Sequence, residues 1–133
     1  MKPEDIALNE LCMFEFYIPQ SDKPILADLS LPLEEGARPL TQELKVKVVR
    51  LINLSATWYP LAVKRIKDEF NGDVDSWLVG LNILTDETQK EFIFGLNFDV
   101  SKDEEHGRGL QMSFPSFEII KHGDAEASMF LDY

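Results

Sequence analysis

Two runs near the middle of the chain, Trp77–Thr85 and Glu91–Val100, constrain the fold most. Both are rich in aromatic and aliphatic residues, and Asp86-Glu87-Thr88-Gln89 between them suits a hairpin loop. With Thr85 facing Lys90, one face collects Trp77, Val79, Leu81 and Ile83 with Phe92, Phe94, Leu96 and Phe98. All are apolar, so this face has to be covered. The other face collects Leu78, Gly80, Asn82 and Leu84 with Glu91, Ile93, Gly95 and Asn97, and sets Gly80 opposite Gly95. Such a pair of strand glycines marks a twisted or bulged place in the sheet, or a shallow floor that a partner's side chain or backbone approaches closely. A slip of one residue would mix the two faces, so burial is expected to pin the register.

The flanking segments build on this hairpin. Leu110–Phe114 continues the alternation, Pro115-Ser116 turns the chain, and Phe117–Lys121 makes a further strand. Upstream, Leu11–Ile18 and Ile25–Leu31 read as a hairpin around the turn Pro19–Pro24, with Cys12 as a small buried apolar residue. Thr41 is a suitable N-cap for a helix carrying Leu44, Val48, Leu51 and Ile52 on one side. Pro60 predicts a break between Leu54 and Pro60, with Ser55 or Thr57 capping a second segment. That segment carries the stripe Tyr59, Val63, Ile66 and Phe70 and stops at Asn71-Gly72. The greasy sheet face and the helical stripes solve one burial problem. The expected fold is α+β: an antiparallel β-sheet of about five to six strands with one or two helices packed on one face. Residues 1–133 form a single domain on this reading. Trp58, Tyr59 and Trp77 are expected in the core or at its edge, and any of them left partly exposed is a candidate binding anchor.

Charge narrows the choice of partners. The net charge is −11, distributed as −5 over residues 1–40, +3 over 41–72 and −9 over 73–133. So acidic a surface repels phosphate backbones and argues against nucleic-acid binding, while it attracts a basic protein and speeds encounter with it. No apolar run is long enough for a membrane span. Met1-Lys2-Pro3-Glu4-Asp5 leads into no apolar segment of the signal-peptide kind, and Cys12 stands alone, so the expected compartment is the cytoplasm.

The connection after the second run holds the one local pattern that suggests a family: Asp103-Glu104-Glu105-His106-Gly107, followed by Arg108 and Gly109. It resembles small bacterial domains of uncharacterised function that carry an Asp-x-Glu-His-Gly turn between two strands. Some of those domains are immunity proteins of polymorphic toxin systems, which block a toxin by binding it. The resemblance spans about Trp77 to Gly123. It implies a toxin-binding protein and supplies no catalytic residue.

The residues themselves leave two readings of this turn. Asp103, Glu105 and His106 carry metal-ligand or acid–base chemistry, which would make a small enzyme, but three close ligands without a fourth do not define a metal site. No phosphate-binding glycine loop, nucleophile elbow or paired-cysteine motif accompanies them, so no cofactor is expected. The other reading is a surface turn closed by Gly107, with acidic side chains facing a partner. The expected function is therefore a non-enzymatic, immunity-type protein that binds a basic toxin domain, a nuclease being the natural candidate because it must hold nucleic acid. The partner-facing residues would be Asp99, Asp103, Glu104 and Glu105, with Asn82 and Asn97 of the mixed sheet face. A small metal-dependent or acid–base enzyme, or a structural or regulatory subunit, is the alternative. The oligomeric state is left open.

Overall fold

A computed structural model of the protein describes residues 1–131, with Glu35 by its backbone alone. The elements are β1 (Met13–Phe16), β2 (Ile25–Asp28), α1 (Gln42–Asn53), α2 (Ser55–Glu69), β3 (Ser76–Ile83), β4 (Phe92–Val100), β5 (Arg108–Phe114) and β6 (Ile119–Gly123). The strands form one six-stranded sheet in sequence order, and the fold is α+β. Every neighbouring pair is antiparallel except β2 and β3, which run parallel. The sheet is therefore mixed rather than wholly antiparallel. The reason lies in the connection: the chain between β2 and β3 contains both helices and crosses back over one face, as a parallel pair requires.

The two helices start and stop where local chemistry dictates. Thr41 caps α1, its Oγ1 accepting from Leu44 N at 3.1 Å. Leu44, Val48, Leu51 and Ile52 are buried along its inner side. The break falls at Leu54, and α2 then runs through Pro60 without a side-chain cap from Ser55 or Thr57. Ser55 instead donates to Gln20 Oε1 at 3.0 Å. The buried line of α2 is Ser55, Trp58, Ala62 and Ile66, one residue round from the expected stripe. Tyr59, Val63 and Phe70 flank it and are only partly buried. Trp58 decides this rotation. It is fully buried, meets Phe94 edge-on at 6.0 Å and donates from Nε1 to Leu51 O at 2.8 Å. Asn71 and Gly72, both at positive φ, end the helix, and Gly72 N returns to Lys67 O.

The central hairpin keeps its greasy face but not its predicted register. Ile83 pairs with Phe94, Leu81 with Leu96 and Gly80 with Asn97, after which a bulge between Leu78 and Gly80 shifts the pairing so that Leu78 meets Phe98. The core face is thus Leu78, Leu81 and Ile83 with Phe92, Phe94, Leu96 and Phe98. Trp77 and Val79, expected inside, are 49% and 37% exposed on the opposite face. The extra residue reverses the alternation beyond it, which is what a bulge does to a period of two. Gly80 and Gly95 do not face each other, because the pairing between the loop and the bulge runs two residues off the expected register and sets Asn82 opposite Gly95.

The mixed face is itself half covered. A short turn near the C-terminus, Ala125–Ser128, lies across β4 and β5. Its backbone comes so close that a Cβ at Gly95 would overlap the Ser128 carbonyl, and one at Gly109 would lie 2.5 Å from Asp124 O. Gln111 Nε2 donates to Ala127 O at 2.9 Å and Asn82 Nδ2 to Ser128 O at 3.1 Å. Among the described residues, no helix is long and apolar enough to cross a membrane.

Two consequences are measurable by chemical denaturation and hydrogen exchange. Phe94→Ala should cost about 3–5 kcal/mol, as large-to-small changes in a packed core do. Gly95→Ala should expel the Ala125–Ser128 turn, so that amides of residues 124–130 lose their exchange protection while those of β3 and β4 keep theirs.

Candidate functional site

The turn between β4 and β5 is built around Arg108. Asp103 N bonds back to Val100 O, and Gly107 N to Asp103 O at 2.9 Å, closing the turn. Gly107 has φ +64°, and a Cβ there would stand 2.7 Å from Phe98 O, so glycine is required. Arg108 then reaches two carboxylates. Its Nη1 donates to Asp103 Oδ2 at 2.7 Å. Its Nε donates to Glu69 Oε2 at 2.8 Å, and its Nη2 lies 2.8 Å from the same oxygen. The guanidinium also lies over the Phe70 ring, 4.9 Å from its centroid. His106 N and Nδ1 contact Asp103 Oδ1 at 3.2 and 3.0 Å. His122 Nε2 stands 2.8 Å from Glu69 Oε1, an ion pair when the imidazole is protonated.

The charges follow from these contacts. The hydrogen bond from Arg108, then that from His106, holds the Asp103 carboxyl down at about 2. Arg108 likewise lowers Glu69 and is itself raised by Glu69. Burial pushes His122 below its ordinary 6.5, with Arg65 and Arg108 adding to the effect and Glu69 opposing it. Both Asp103 and Glu69 are therefore anions fastened to a guanidinium, the opposite of a carboxylate poised to take a proton. Among the described residues, no group of His, Cys, Asp and Glu side chains is arranged to hold a metal ion. What the arrangement does is tie the end of α2 to the β4–β5 turn and to β6.

The residues singled out from the sequence separate into three groups. Asp103 belongs to the Arg108 network. Asn82 is held by Ser128, and Asn97 is half-buried beside Gly80. Asp99, Glu104 and Glu105 are exposed. Asp99 and Glu104, with Asp22, Lys23, Trp77 and Val79, line an open cleft of about 470 Å³ beside the β1–β2 turn. Trp77 is the register partner of Asp99 across the hairpin. Sequence reasoning missed Glu69 and His122 as partners of Arg108, since nothing in local spacing joins positions so far apart.

No family model matches the chain, and no curated protein or solved structure matches it. The class defined by fold and geometry is an α+β domain with a six-stranded mixed sheet, helices on one face and a partly open acidic second face.

The network makes stability pH-dependent in a definite direction. His122 has a lowered folded value, so the unfolded chain binds more protons and stability falls as pH drops through 6.5. Asp103 adds a further loss, from the ordinary carboxylate value of 3.8 down through about 2. The urea midpoint should fall between pH 7.5 and 5.5, and His122→Gln should flatten that limb while leaving the one below pH 4.

Proposed function

We propose that the protein is a non-enzymatic binding protein of immunity type, acting in the cytoplasm. It neutralises a basic toxin domain, a nuclease being the natural candidate, by covering the surface that domain uses on its own substrate. The observation that supports this reading is the division of carboxylates at the β4–β5 end. Asp103 and Glu69 are engaged by Arg108, whereas Asp99, Glu104 and Glu105 face solvent and enter no ion pair among the described residues. Unpaired acids on a rigid support suit a cationic surface, and the overall charge of −11 draws such a surface in.

The test starts from the basic protein that co-purifies from native lysate, identified by mass spectrometry and then prepared pure. Calorimetric titration at low and high salt should show affinity falling as salt rises. The double change Glu104→Lys, Glu105→Lys should weaken binding by about tenfold or more without moving the unfolding midpoint. Affinity indifferent both to salt and to the reversal would leave the acidic reading without support.

A further inference from the structure

The outer face of the sheet is closed over β4 and β5 by the chain's own Ala125–Ser128 turn, which also reaches Asn82 of β3, but around Leu26 and the Trp77–Gly80 part of β3 it stays open. Gly80 marks the open floor: a Cβ there would meet nothing nearer than 3.7 Å, in contrast to Gly95 and Gly109, where the turn fills the space. Around this floor stand Trp77, Val79 and Leu26, which are 49%, 37% and 40% exposed. Leu26 is the register partner of Gly80, and Trp77 that of Asp99. The Trp77 indole and Val79 share one cleft with three carboxylates, Asp22, Asp99 and Glu104, against a single cation, Lys23, so its lining remains acidic.

We infer that this cleft is a seat for an arginine side chain projecting from a basic protein partner, with the guanidinium lying on the Trp77 indole between Asp99 and Glu104. The inference rests on the binding reading above and names its anchor. Three features select arginine. Its planar cation stacks on an aromatic face, its several N–H groups serve two carboxylates at once, and its methylene stem suits Val79. A lysine offers only a strongly hydrated point charge. A second copy of the chain would bring the same carboxylates against themselves, and a nucleic acid would be repelled by them.

The two tryptophans make the test specific. Trp58 is buried with its Nε1 bonded to Leu51 O, so its indole signal is an internal control for Trp77. The isotope-labelled full chain is titrated with a capped hexa-arginine peptide and, separately, with capped hexa-lysine, and followed by proton–nitrogen NMR. Hexa-arginine should shift the Trp77 indole and Gly80 amide signals saturably and leave Trp58 unmoved. Hexa-lysine should bind about fivefold more weakly or worse. Asp99→Asn with Glu104→Gln, both at exposed positions, should weaken hexa-arginine by about tenfold. Equal affinity for the two peptides, or shifts confined to other carboxylates, overturns the inference. So does a Trp77 signal that moves with protein concentration alone, which would place a second copy in the cleft. With the purified basic partner, Trp77→Ala should weaken binding. If Trp77→Ala leaves that affinity unchanged while Glu104→Lys, Glu105→Lys abolishes it, the arginine seat is wrong and the binding reading survives. If hexa-arginine seats on Trp77 but no basic protein binds, the seat stands and the binding reading fails.

Discussion

Phe92, Phe94, Leu96 and Phe98 stand on one side of β4, and the need to take that row out of water organises the molecule. A central strand with so much aromatic surface on one face requires a cover of matching width. The helices α1 and α2 supply it, with Trp58 set against Phe94 and Tyr59 against Phe98. Both helices come from the single connection between β2 and β3, and that connection is long enough to cross back over the face, as the parallel pairing of these strands requires. The mixed character of the sheet and the cover of its core thus share one connection.

What was legible in the sequence is what depends on short-range periodicity. Alternation along β4, the Thr41 cap, the break at Leu54 and the Asn71-Gly72 stop all follow from a few neighbouring residues. The bulge beside Val79 does not. Leu78 and Val79 are both apolar, and only the geometry of the neighbouring strands decides which of them enters the core. The rotation of α2 is a similar case. The line Trp58, Ala62, Ile66 and the line Tyr59, Val63, Ile66, Phe70 both satisfy helical spacing. The tyrosine line carries more apolar bulk, because Ala62 contributes little to the other. A buried indole with its N–H bonded to Leu51 O outweighs that difference.

The same distinction applies to the site. That the Asp103–Gly109 segment forms a turn, and that Gly107 closes it, could be read locally. That Asp103 faces inward to Arg108 could not, because Arg108 is oriented by Glu69 from the far end of α2. Glu69 is the last residue of that helix, where the dipole disfavours a carboxylate. There the hydrogen bond from Arg108 lowers the pKa of the Glu69 carboxyl. The glycines carry a related lesson. Gly95 does admit a close backbone approach, but the backbone is the chain's own, arriving from the Ala125–Ser128 turn.

The two sides of the domain are electrically unlike. The segment 41–72, which forms both helices, carries +3 and lies on one side of the sheet. The open side presents Asp99 and Glu104 beside Trp77. A molecule with a net positive helical segment on one side and exposed carboxylates on the other turns in the field of a charged partner before contact is made. For a cationic partner that torque favours the open sheet face over the helices, and it acts before any complementarity of shape is felt. An anchor of one aromatic ring can then suffice, because the orientation that an uncharged surface would have to find by repeated collisions is already biased when the two surfaces meet.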